Sequence, residues 1–169
     1  SRVFAEQGVG VALDAIARAA GVGNATMYRH FPTREAMLAA VLAERYRALA
    51  ARAEALLTAA APDAALLDWL AEFVAYSQTF RGLPEPVLAA LRDQDSALFA
   101  SCKAMRSGAA ELLTRAQRAG VIRGDVDAAD LLTHAAGIAW AAQQTSAGDP
   151  GRARRLLRVM ADGLRHTAP

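Results

Sequence analysis

The chain is short of cysteine, lysine and aromatic residues, and each shortage removes a class of protein from consideration. A single cysteine, Cys102, among 169 residues permits no internal disulfide and offers no thiolate cluster for zinc. A chain of this kind suits a reducing, cytoplasmic setting. No apolar run reaches the ~20 residues that a membrane-spanning helix needs, and no signal peptide is visible. The three histidines, His30, His134 and His166, do not stand at ligand spacing, so neither a metal nor another cofactor is expected. No Ser/His/Asp or Cys/His arrangement, carboxylate pair or glycine-rich phosphate loop stands out, which argues against an enzyme. Period-two alternation of β-branched and aromatic residues is missing too, and with it the signal for strands. The net charge of +2 is too small to identify a polyanionic partner by itself.

What is present points to helices. Hydrophobic residues make up 54% of the chain and charged residues 21%, enough to build a core and too apolar for disorder. Ala and Leu, both strong helix formers, supply most of the apolar content. The basic side chains are nearly all Arg, with Lys103 the exception, a bias that suggests a GC-rich bacterial source.

Gly and Pro divide the chain into helical segments. Residues 2–7 read as the end of a first helix whose start is expected before Ser1, closed by Gly8 and Gly10. Short helices follow over 12–19, ended by Gly21, and 24–30, closed by Pro32. Thr33 can cap a long helix that runs to about residue 60, with Leu38, Val41, Leu42, Leu49, Ala53, Leu56 and Leu57 at helical spacing. At 1.5 Å per residue it is roughly 40 Å long, a rod able to join a head to a body. Pro62-Asp63 can cap the next helix, 63–80, whose stripe ends on Phe80. Further helices are expected over 85–93, over 95–119, from Asp127 to about Ser146, and from Asp149-Pro150 onward. The predicted fold is all-α: a three-helix head, a long connecting helix and a C-terminal helical bundle, about nine helices in all. The expected domains are residues 1–45 and 46–169.

The informative stretch runs from Ala12 to Leu42. A short helix carries Leu13, Ile16 and Ala17 inward and meets a tight turn at Ala20-Gly21-Val22. Gly21 permits the left-handed backbone that the turn needs, and Val22 is expected to plug the angle between the helices. The next helix opens on the small or polar residues Gly23, Asn24, Ala25 and Thr26. That is the pattern of a helix-turn-helix whose second helix enters the major groove. Small residues let a helix approach base edges, and Asn24 and Thr26 can hydrogen-bond bases or phosphate. Arg29 can make a forked contact to guanine or phosphate. Tyr28 and His30 carry polar tips that suit phosphate oxygens, and Arg34 lies in a first helical turn that also favours an anion. Phe31 reads as core.

The stretch IARAAGVGNATMYRHFPTREAML, residues 16–38, resembles the signature of the TetR family of bacterial transcription regulators, and the likeness extends over residues 1–45. The later run RAQRAGVIRGDVDAADLL, residues 115–132, resembles the segment that links the last helices of many members, and HFPTREA suggests an actinobacterial branch. The resemblance implies a DNA-binding regulator, typically a repressor, acting as a homodimer on a palindromic operator and released by a small molecule bound in the C-terminal body. It implies that Tyr28, His30 and Arg34 contact phosphate and that Gly23, Asn24, Ala25, Thr26 and Arg29 face bases or the groove edge. It also brings Ala12 to the DNA. The family usually has Ser or Thr at the head of that helix, so Val11 and Ala12 remove one cap and one phosphate contact.

The body is less legible. Trp69, Phe73, Tyr76, Ser77, Phe99, Cys102, Met105, His134 and Trp140 are candidates for lining a ligand cavity between helices; taken singly, most of these bulky groups equally suit a filled core. The helix from Asp127 is apolar on two sides and must be covered on two sides. Leu131, Ala135, Ile138 and Ala142, with Leu156, Leu157, Met160 and Leu164 of the last helix, are candidates for a two-fold four-helix interface. The rival expectations are a helical DNA-binding protein without an effector and, further off, a helical enzyme.

Overall fold

The computed structural model describes residues 11–78, 82–145, 149 and 151–165. The helix expected over 2–7 with Gly8 and Gly10, together with Phe80, Ser146, Pro150 and His166, lies outside these residues. Eight helices are described: α1 (Leu13–Ala20), α2 (Asn24–His30), α3 (Arg34–Leu56), α4 (Pro62–Ser77), α5 (Glu85–Arg92), α6 (Ala97–Arg118), α7 (Ala128–Thr145) and α8 (Arg152–Leu164). The fold is all-α, as the periodicity predicts. An isolated bridge pairs Ile122 with Arg165 and ties the α6–α7 loop to the end of α8. None of the described helices is long and apolar enough to cross a membrane.

The chain divides into two compact units. One comprises Ser1–Tyr46 and Thr79–Cys102; the other comprises Arg47–Gln78 and Lys103–Pro169. Helices α3 and α6 each give one end to each unit.

Local chemistry sets most helix ends. Gly21 terminates α1 at φ 68°, and Val22 N–H donates back to the Ala17 carbonyl at 3.0 Å, closing the turn as only a left-handed residue allows. Thr33 caps α3, its hydroxyl accepting from Ala36 N–H at 3.0 Å. Asp127 caps α7 in the same way, accepting from Asp130 N–H at 2.8 Å. Helix α4 starts differently from the expectation. Pro62 occupies the first turn and Ala61 the cap position without a side-chain bond, so Asp63 lies inside the helix rather than capping it. A proline costs nothing at that position, where its missing N–H would have no partner anyway.

In the first unit, Leu13, Ile16 and Ala17 of α1 pack with Met27 of α2, with Met37, Leu38 and Leu42 of α3, and with Val87 and Leu98. Phe31 packs against this cluster. Val22 does not plug the helix angle: it is 38% exposed. The tight turn turns its side chain outward, and Val11 and Met27 are buried in the cluster instead.

In the second unit, α4 packs on α7 and α8, which also pack on each other. Leu66, Trp69, Leu70 and Val74 of α4 are buried, as are Leu112 of α6 and Leu131 and Ala135 of α7. Each such large apolar side chain contributes roughly 1.5–3 kcal/mol on burial.

Candidate functional site

Helix α2 is seven residues long, and Met27 is its one buried residue. Gly23, Asn24, Ala25, Thr26, Tyr28, Arg29 and His30 are all exposed. One apolar root therefore fixes the helix while every other side chain projects outward, the disposition a groove-reading helix requires. Gly23 supplies the cap position without a side-chain bond, leaving the first N–H groups of α2 open to an acceptor. Arg34 lies in the first turn of α3, a third exposed, with its guanidinium 3.4 Å from the Glu35 carboxylate. Ala12 is exposed at the cap position of α1 and makes no side-chain bond, so the cap that its identity removes is indeed missing.

Tyr28 is engaged within the head. Its hydroxyl donates to Asp14 Oδ1 at 3.1 Å, joining α2 to the first turn of α1. That hydrogen bond, then the negative charge of Asp14, holds the phenol above its usual pKa. Asp14 is inconspicuous in the sequence. Its only signal was an acidic residue in the first turn of the helix that precedes the turn.

The candidate ligand residues are spread over both units. Phe99 and Cys102 belong to the unit that holds the head; Trp69, Phe73, Tyr76, Ser77, Met105, His134 and Trp140 belong to the other. Trp69 and Phe73 stack with ring centroids 5.8 Å apart and are buried, as is Met105. Tyr76 and Ser77 are half-buried at the end of α4, where the Ser77 hydroxyl donates to the Phe73 carbonyl at 2.9 Å. His134 is exposed, its ring Nδ1 2.9 Å from the Asp130 carbonyl. Trp140 is 63% exposed, on the outer face of α7.

The candidate interface residues also divide. Leu131, Ala135, Ala142, Leu157 and Leu164 are buried within the protomer. Ile138, Leu156 and Met160 are partly exposed and line a groove of about 420 Å³ between α7 and α8, together with His134, Val159 and Gly163. Val159 is 71% exposed and did not feature among the sequence candidates. Its signal was a second apolar stripe on the last helix, Leu156, Val159, Met160 and Gly163, beside the core stripe of Leu157, Ala161 and Leu164.

Residues 1–41 match the family described as bacterial regulatory proteins of the tetR family. Residues 61–166 match the domain described as transcriptional regulator SbtR-like, C-terminal. The chain is similar to the TetR transcriptional regulator SCO0520 from Streptomyces coelicolor at 35% identity, with a TM-score of 0.76, over 99% of this chain and 94% of that one. A TetR regulatory protein from Mycobacterium vanbaalenii is 34% identical, with a TM-score of 0.63, over 98% of this chain and 89% of its own. The ketosteroid transcriptional regulator KstR2 of Mycobacterium tuberculosis shares the fold at 21% identity and a TM-score of 0.64, over 98% of this chain and 91% of that one. A comparison with curated proteins returns no match.

Proposed function

The chain belongs to the TetR family of bacterial transcription regulators, and from that premise we propose that it acts as a homodimer on a palindromic operator and is released by a small molecule bound in its second unit. Membership makes it a DNA-binding regulator with a helix-turn-helix rather than a catalyst, beside relatives from Streptomyces and Mycobacterium. In our reading the regulator is a cytoplasmic repressor.

The observation that carries the DNA contact is the exposure of all of α2 around the single buried Met27. Asn24, Ala25, Thr26 and Arg29 face the base edges, with Gly23 allowing close approach. Tyr28, His30, Arg34 and the N-terminus of α1 at Ala12 meet phosphate. Phosphate contacts set register and base contacts set sequence, so the two groups have different signatures. Selection of bound duplexes from random sequence tests the reading: a palindrome with half-sites one helical turn apart, about 34–36 Å, is the expected product. Recovery of sequences without two-fold symmetry would sink the paired-head reading.

The dimer is supported by the apolar surface that α7 and α8 leave open. Val159, 71% exposed, lines the groove with Ile138, Leu156 and Met160, and Trp140, 63% exposed, lies on α7 outside that groove. A two-fold axis through this face would cover it with its own copy. For the effector, the candidates at the end of α4 are the half-buried Tyr76 and Ser77, an aromatic ring and two hydroxyls. Ligand and DNA then weaken each other reciprocally. Operator affinity that stays constant under every compound shown to bind the second unit would refute the gating.

A further inference from the structure

We propose that Asp14 is a brake on DNA binding, because it competes with the phosphate backbone for the hydroxyl proton of Tyr28. The proposal rests on the assignment of the α1–α2 face to DNA made above.

A tyrosine hydroxyl has one proton to donate, and phosphate oxygens only accept. In the structure that proton is committed: Tyr28 donates to Asp14 Oδ1 at 3.1 Å. With its proton spent, Tyr28 presents lone pairs outward, and these repel a phosphate oxygen. Both partners are exposed, so the bond can be exchanged without unpacking the head.

The charge of Asp14 acts in the same direction. Helix α1 has no side-chain cap at Ala12, and an uncapped N-terminus with free N–H groups is a natural seat for an anion. Asp14, in its first turn, puts a carboxylate there already. The carboxylate favours the helix in the free protein and opposes a phosphate in the complex. Both effects concern the DNA backbone, so the brake lowers affinity for every sequence and shortens residence on DNA that lacks the operator.

The test is a double-mutant cycle on the full chain, read by fluorescence anisotropy at fixed salt. The probes are the duplex that the unaltered protein selects from a random pool and a random-sequence duplex. Asp14→Ala is expected to tighten binding to both, by about tenfold, and the gain is expected to fall to about twofold in the Tyr28→Phe background. Asp14→Asn, which keeps an acceptor for Tyr28 and loses the charge, is expected to give a smaller gain than Asp14→Ala. Thermal melts establish that each variant is folded. Unchanged or weaker binding by folded Asp14→Ala overturns the proposal, and so does a gain of equal size with and without the Tyr28→Phe change. Arg34→Ala on the same probes separates the two readings. If it leaves binding intact, the DNA face itself is misassigned; if it weakens binding while Asp14→Ala does not tighten it, the brake alone fails.

Discussion

The indole N–H of Trp69 donates to the Leu49 carbonyl at 2.8 Å, a bond between α4 and the interior of α3 from which solvent is excluded. A carbonyl inside a helix has a second lone pair, and here a side chain from a neighbouring helix takes it. Leu49 is itself 1% exposed, so the bond is made in a low-dielectric surrounding that strengthens it.

Trp69→Phe removes this donor and part of the ring volume. A loss of roughly 2–4 kcal/mol is expected from the hydrogen bond and the space left behind, measured by urea denaturation. The two tryptophans provide an internal check. In the Val159→Asp variant, expected to be monomeric, iodide is expected to quench the fluorescence of Trp140, 63% exposed in the protomer, and to leave that of Trp69, which is 0% exposed, almost unaffected.

Gly108 lies where α6 crosses α3. A Cβ added there would come 2.7 Å from the Cβ of Ala53, which is fully buried. Gly108→Ala is therefore expected to destabilise the protein by about 1–3 kcal/mol through overpacking, although Ala is the better helix former by about 1 kcal/mol. The double variant Ala53→Gly with Gly108→Ala restores the space, and a melting temperature above that of Gly108→Ala alone is the expected result.

Tyr46 sets a stability limit at high pH. Burial, and then the neighbouring charge of Cys102, pushes its phenol up to about 12 from the ordinary 10.0. The unfolded chain loses this proton first, so the contribution of Tyr46 is fully present below pH 10 and is lost as pH rises towards about 12. Denaturation midpoints across that window are expected to fall in the unaltered protein and to fall less in Tyr46→Phe.

The arginines of the head are expected to separate by their DNA signatures. Arg34→Ala is expected to weaken binding to all sequences and to lower the salt slope by about one. Arg29→Ala and Asn24→Ala are expected instead to change the base preference of the selected half-site, by about 1–3 kcal/mol at the affected position.

Charge placed on the outer face of α7 and α8 is expected to dissociate the dimer while leaving each protomer folded. Trp140→Asp and Val159→Asp both alter side chains more than half exposed, so their cost to the monomer is small. Sedimentation velocity reads the loss of dimer, and a fall in operator affinity accompanies it because one head makes few phosphate contacts. Unaltered sedimentation behaviour in both variants would remove α7 and α8 as the interface.

The DNA-reading head was legible in the sequence because short-range chemistry determines it. Gly21 needs the left-handed backbone it adopts at φ 68°, Thr33 reaches the N–H of Ala36 three residues on, and small residues open α2. Each of these acts within one or two turns of its own position. The same local reasoning misjudged Val22, whose exposure follows from the path of the turn, and Asp63, displaced from its cap by Pro62.

What lies beyond a few turns was decided by the tertiary structure. Asp14 and Tyr28 are 14 positions apart and meet because α1 and α2 cross at the turn. The two apolar stripes of α7 look equivalent in the sequence, since periodicity states that a helix has two faces to cover and not which neighbour covers each. Packing against α7 buries Leu131, Ala135 and Ala142 of one stripe and Leu132 and Ala139 of the other, and leaves Ile138 partly exposed and Trp140 outside. Local spacing thus determined the helices and the residues that α2 leaves exposed around Met27. Only the packing of distant segments decided which carboxylate holds Tyr28 and which apolar side chains of α7 and α8 stay exposed.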